Sequence, residues 1–388
     1  MDLGLILLAL FACAITSILS DRLKISFLSY SKLLIVIGVL ISIVHFVFQL
    51  PIKEFTGEFF LTLILPPLVF QAALTIDYEI FRKVQKIVLV LAIVSVAVSA
   101  IVSSLILIVV GVPFFAALAF GVIISPTDAV AVIDTLKQLK PPKRLAAIIE
   151  GETLLNDATA LALFSGVAAL ALNPITYAMD TVTKFVGGAV VGLVLGYLAN
   201  KLMPLLKKDA QVMFTISISY GSFILAEEFH FSGIVAVAIL GLYVGRCLQK
   251  TQSKETRNEL LLSFWNEAAF LANSIAFIAI GWALNPLDIV RYAPLIVFSS
   301  AAVLVARYVS VEALLAPLSK LIGPVPRSWR NVTTLAGVRG AVSAALALSL
   351  PPEFPYKSAI VTVTFGVILI SLLVQTKALS RYASRALA

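Results

Sequence analysis

The chain has 388 residues, of which 60% are hydrophobic and only 13% are charged, with a formal net charge of +8. Soluble domains carry about 25% charged residues, so this composition excludes a soluble globular enzyme, a disordered chain and a nucleic-acid binder. Two cysteines (Cys13, Cys247) and two histidines (His45, His230) support no disulfide framework, zinc site or histidine-rich metal chemistry.

A membrane helix needs about 20 mostly apolar residues. Apolar runs separated by charges or by Pro and Gly lie near 4–20, 33–50, 59–76, 87–110, 113–135, 145–171, 181–203, 210–226, 231–245, 260–284, 289–318, 328–350 and 358–376. They predict an all-α integral membrane protein of thirteen transmembrane helices with no room for a soluble domain. The first run has Asp2 as its only early charge and no basic leader, so it reads as a span rather than a cleaved signal. The least regular stretches are Pro66-Pro67 inside span 3 and Glu227, Glu228 and His230, which predict a solvated turn between spans 8 and 9.

Lysine and arginine test this count. The odd-numbered connections and the tail after span 13 hold 23 of them, and the even-numbered ones hold four: Lys53, Lys184, Arg291 and Lys357. Basic loops face the cytoplasm. The alternation therefore predicts an N-terminus outside and a C-terminus inside.

Thirteen spans divide into two six-helix halves of opposite orientation joined by span 7, the arrangement of secondary transporters. Span 5 is interrupted by Ser125-Pro126-Thr127-Asp128 and span 12 by Gly337-Val338-Arg339-Gly340; each is the fifth helix of its half. Such breaks free carbonyls and amides that can face an ion, and the two broken helices are expected to cross. A mere kink would leave Asp128 and Arg339 in hydrocarbon without a role. In span 7, Gly188, Gly192 and Gly196 form a small-residue ridge. Close packing within one chain is the preferred reading of that ridge, ahead of dimerisation.

Ionisable residues inside spans are functional candidates by default. The densest group is Glu150-Gly-Glu152-Thr153-Leu-Leu-Asn156-Asp157 in span 6. Thr153 and Asp157 are four apart and share a helix face, with Glu152 and Asn156 on the adjoining one. Thr127 and Asp128 reach a comparable depth from span 5. Carboxylate, hydroxyl, amide and freed carbonyl oxygens suit an alkali cation. One carboxylate can hold a proton or a cation, and alternate opening to the two sides turns that competition into exchange. Asn156 is neutral, so Asp157 alone titrates, which predicts one proton per cation and no net charge moved. Arg307 and Arg339, inside spans 11 and 12, are expected to pair with Glu152 or Asp128. Glu150 is expected at the inner entrance, Glu267 is either a buried partner or a funnel residue, and His45 lies near the outer surface. The absence of a P-loop argues against an ATP motor. A cation channel and an intramembrane enzyme are weaker readings, because neither a TVGYG-like filter nor a Ser/His arrangement is present.

The stretches LPPLVFQAAL (65–74), GVIISPTDAVAV (121–132), EGETLLNDATALALF (150–164), HFSGIVAVAILGLYVG (230–245), FLANSIAFIAIG (270–281) and GVRGAVSAALALSLP (337–351) resemble the monovalent cation/proton antiporter family. That family includes NhaP-type sodium/proton antiporters and is related to animal sodium/proton exchangers. The resemblance implies a mobile core of spans 4–6 and 11–13 (about 87–171 and 289–376) moving in elevator fashion. It implies a dimerising scaffold of spans 1–3 and 8–10 (about 4–76 and 210–284), with span 7 as linker. It implies a cation and proton site at Asp157 and Thr153, with Thr127, Asp128 and Glu152 nearby. Asn156 would hold the crossed ends, and Arg307 and Arg339 would pair with core acids. The activity implied is electroneutral exchange of Na+ or Li+ for H+, serving pH homeostasis. It would run without a cofactor, in a homodimer in a prokaryotic plasma membrane; potassium stays open as the alternative ion. Two departures stand out: Gln71 occupies a position where many members have Glu, and no regulatory cytoplasmic domain follows Leu387-Ala388.

Overall fold

A computed structural model describes residues 30–48, 55–128, 141–167, 174–251 and 259–387, together with the isolated positions 11, 13, 14, 16, 132 and 135. Span 1 and the second half of span 5 therefore lie outside the described residues, as does the side chain of His45. Every regular element among the described residues is helical. Span 2 is Tyr30–Phe48, span 3 Gly57–Thr75, span 4 Tyr78–Val109, and the first half of span 5 Phe114–Ile123. Span 6 is Lys143–Ser165, span 7 Pro174–Leu202, span 8 Lys208–Glu228 and span 9 Gly233–Thr251. Span 10 is Glu259–Trp282 and span 11 Pro286–Ile322. Span 12 is split into Arg327–Leu335 and Ala341–Leu348, and span 13 is Lys357–Ala386.

Spans 4 and 13 overrun their predicted limits furthest, although others, among them span 7 from Pro174 and span 9 to Thr251, are also longer than expected. Span 4 was expected from residue 87 and begins at Tyr78, while span 13 was expected to stop at 376 and continues to Ala386. Both extensions are amphipathic. Phe81, Val84, Ile87 and Val88 are buried in the first, while Arg82, Lys83 and Lys86 face outward. Leu379 and Ala383 are buried in the second, with Lys377, Arg381 and Arg385 on its exposed side. Charge in the outward positions ends an apolar run without ending the helix. Asp77 caps the first extension, its side chain accepting from the amide of Ile80 at 3.1 Å.

Span 3 contains Pro66-Pro67 because a π-helical turn, Phe60–Ile64, precedes them. The prolines then occupy the start of the next α-helical segment, where a missing N–H is tolerated. Similar π turns interrupt span 4 at Val90–Ser95 and span 13 at Ser371–Gln375. The turn after span 8 carries Glu227, Glu228 and His230, all exposed, and Glu227 caps span 9 by accepting from the Gly233 amide at 2.8 Å.

The glycine ridge of span 7 packs inside the chain. A Cβ at Gly188 would strike the Ser232 carbonyl, one at Gly192 the Ala236 carbonyl, and one at Gly196 the Tyr243 side chain. All three obstacles belong to span 9 or its first cap. The opposite side of span 7 exposes Val182, Val186, Val190 and Leu193. Gly192→Leu should therefore destabilise the detergent-solubilised protein by about 1–3 kcal/mol through overpacking. Val190→Leu, on the exposed face, should leave it unchanged. Residual monodisperse protein after a heating series measures both.

Candidate cation site where spans 5 and 12 cross

The two interruptions meet. After Phe114–Ile123, residues Ser125–Asp128 are non-helical, as are Gly337–Gly340 between the halves of span 12. The Asp128 amide donates to the Val338 carbonyl at 2.7 Å. Gly340 is required at this contact, since a Cβ there would collide with the Asp128 carboxylate. Arg339 donates through Nη1 to the carbonyls of Ser125 at 2.6 Å and Pro126 at 3.0 Å. Its cation thus sits at the C-terminal, partially negative end of one half-helix. The Asp128 carboxylate lies against Gly340, the N-cap of the other half-helix, whose dipole end is partially positive.

Span 13 closes the remaining gap. The Arg339 amide donates to Ser371 Oγ at 3.0 Å, Ser371 donates to Gln375 Oε1 at 3.0 Å, and Gln375 Nε2 donates to the Leu335 carbonyl at 3.0 Å. The π turn of span 13 therefore stitches across the break of span 12.

Span 6 approaches from the other side. Asn156 donates through Nδ2 to Thr127 Oγ1 at 2.7 Å and accepts the Thr127 amide at 3.5 Å. Thr127 Oγ1 donates to Thr153 Oγ1 at 3.3 Å, and Thr153 donates to the Ile149 carbonyl at 2.9 Å. Glu152 is held by Arg307 in a two-pronged pair, Nη1 to Oε1 at 2.6 Å and Nη2 to Oε2 at 2.7 Å, with both side chains no more than 3% exposed. Arg307 also donates to the Thr333 carbonyl at 3.3 Å and to Ser95 Oγ at 3.4 Å.

These contacts sort the expected residues. Asp157, Asp128, Thr127 and Glu150 line one cavity of about 350 Å³. Glu152, Thr153 and Asn156 do not line it. Glu152 is turned to Arg307 on another face of span 6, because consecutive helical positions are rotated by roughly 100°. Arg339 is also reassigned: its side-chain hydrogen bonds go to backbone carbonyls rather than to an acid. Glu267 is exposed, which removes its reading as a buried partner. Asp157 Oδ1 is buried and has no hydrogen-bond partner.

The same cavity holds residues that a search for buried charge overlooks: Asn266, Asn273 and Ser343, together with Gln71. Gln71 Nε2 donates to Asn266 Oδ1 at 2.8 Å, joining spans 3 and 10 at the cavity wall. Their only signal in the sequence is polarity within apolar runs. A second, larger cavity of about 1750 Å³ lies at the other end of spans 3 and 6; Gly57, Leu161, Ser165, Lys184, Ser349 and Lys357 are among its lining residues. Asp157 lines the first cavity and Leu161, one helical turn on, lines the second.

Residues 6–385 match the family described as "Sodium/hydrogen exchanger, transmembrane". The chain belongs to that family. Among curated exchangers, the Na(+)/H(+) antiporter NhaS2 of Synechocystis is 33% identical over 82% of this chain. NhaG of Bacillus atrophaeus is 32% identical over 89% of it. The matched regions cover 60% and 68% of those two proteins. The fold of this chain matches the sodium proton antiporter MjNhaP1 from Methanocaldococcus jannaschii with a TM-score of 0.82 at 21% identity, over 99% of this chain and 98% of that one. The chain is thus a multi-pass integral membrane protein of the thirteen-helix type.

Its Arg307–Glu152 pair makes a direct prediction. Arg307→Ala should strand a buried carboxylate and destabilise the protein by about 3–5 kcal/mol, and Arg307→Met combined with Glu152→Leu should recover most of that loss. Thermal melting of the parent and the two purified variants reads the difference.

Proposed function

We propose that this chain is a sodium/proton antiporter that exchanges Na+ or Li+ for H+ one for one at Asp157. The observation that carries the reading is the cavity itself. Among the described residues its charged lining is Asp128, Glu150 and Asp157 with no lysine or arginine, and one oxygen of Asp157 is buried without a hydrogen-bond partner. A carboxylate so placed is costly unless a cation or a proton offsets it. Thr127 and Asp128 supply further oxygen on the same wall, which suits a hard alkali cation. Thr153 and Asn156 hold Thr127 in place, and Glu152, satisfied by Arg307, supports span 6 from behind.

The exchange then follows from competition. A proton arriving at Asp157 displaces the cation, and a cation displaces the proton. Asn156 adds no second titrating group, so the loaded and protonated sites carry the same charge. Spans 4–6 and 11–13 move as a core against spans 1–3 and 8–10, with span 7 as linker, which delivers Asp157 from one cavity to the other. The scaffold pairs with a second copy in a homodimer. The basic connections support a cytoplasmic side for the first cavity and an outside N-terminus, and the membrane in this reading is a prokaryotic plasma membrane.

Proteoliposomes holding a pH-sensitive dye test this. Sodium and lithium should drive proton movement, potassium should do so weakly, and a clamped potential should not alter the rate. Asp157→Asn should abolish exchange in a protein that still purifies as a monodisperse species. Because proton and cation compete, the apparent KM for sodium should rise about tenfold per pH unit on the acidic side, with the maximal rate preserved. A KM independent of pH would reject the shared site.

A further inference from the structure

Ser343 is the third residue of the short helix Ala341–Leu348 in span 12. Its side chain is 1% exposed, and its Oγ has no hydrogen-bond partner. That is unusual for a helical hydroxyl, which ordinarily bonds to the carbonyl four residues back. Thr153, Thr159 and Ser349 do so in this protein, at 2.7–2.9 Å. Ser343 is denied this outlet because the residue four before it is Arg339, in the non-helical break. A buried hydroxyl without a partner is destabilising, so its presence calls for a physical reason. Thr181, Ser219, Ser299, Thr334 and Thr364 share the condition, but among the described residues only Ser343 of these lines the cavity that contains Asp157.

We infer that Ser343 is a ligand of the transported cation, so that the ion is held by both broken helices, span 5 through Thr127 and span 12 through Ser343, with Asp157 between them. This rests on the proposed exchange at Asp157. A hydroxyl oxygen offers its lone pairs to an alkali ion without adding charge, so it tunes affinity and ion size while leaving the proton count at one. The start of a helix would repel a cation, but here the Asp128 carboxylate lies against Gly340 at that N-cap and offsets the dipole.

The test uses the full chain in proteoliposomes. Ser343→Ala should raise the apparent KM for sodium about tenfold, the loss expected for one ligand. It should also change the ratio of sodium to lithium KM, with the maximal rate at saturating sodium within twofold of the parent. Ser343→Thr, which keeps the oxygen, should retain the parent ion ratio. Sodium-dependent thermal stabilisation of the purified protein gives a readout independent of transport, and its midpoint should shift upward in Ser343→Ala alone. A Ser343→Ala protein with the parent KM and ion ratio overturns the inference. So does one with a reduced maximal rate but unchanged KM and ratio, the pattern of a purely structural hydroxyl. If the parent chain itself showed no sodium-dependent proton flux, the exchange reading would fail first and this inference with it.

Discussion

The architecture depends on satisfying backbone groups where no water can reach them. Two helices are broken inside the apolar interior, and each break frees amides and carbonyls that would cost several kcal/mol apiece in hydrocarbon. The Asp128 amide meets the Val338 carbonyl, Arg339 serves the carbonyls of Ser125 and Pro126, and Ser371 and Gln375 serve the two sides of the span 12 break. Once these needs are met, the same geometry brings Thr127 and Asp128 beside Asp157. The contacts that satisfy the two breaks therefore also position residues of the cavity.

The charged side chains divide into supports and a worker. Glu152 and Arg307 neutralise each other behind span 6, and Arg339 is spent on carbonyl oxygens. Asn156 serves as a bracket between span 6 and the broken end of span 5. Asp157 lines the cavity with its Oδ1 buried and without a hydrogen-bond partner.

Much of this was legible in the sequence. Hydropathy located the spans, and Ser125-Pro126-Thr127-Asp128 and Gly337–Gly340 marked the breaks correctly, because proline and glycine act locally. The Arg307–Glu152 pairing was within the options, since an arginine buried in lipid demands an acid. What stayed hidden depended on rotation and on distant segments. Glu152 could not be separated from Asp157 without knowing which face of span 6 meets span 11. The preference of Arg339 for carbonyls could not be read, because backbone acceptors are identical in every residue. Ser371 and Gln375 gave no signal beyond polarity, and Asn266, Asn273 and Ser343 carry no charge to betray them. The amphipathic ends of spans 4 and 13 were missed because charge on the outward face broke the apolar run.

The nearness of Asp157 and Leu161 to two different cavities has an electrical consequence. Where aqueous clefts enter from both ends, voltage drops chiefly across the thin septum that separates them. Four residues of helix amount to about 6 Å, and with water in both cavities most of the field would fall across that distance. A lone charge crossing it would exchange about 2.3 kcal/mol with the field per 100 mV. In the one-for-one exchange proposed above, the cation and the proton would do equal and opposite electrical work across this partition, so turnover would be independent of the membrane potential and driven by the two concentration gradients alone.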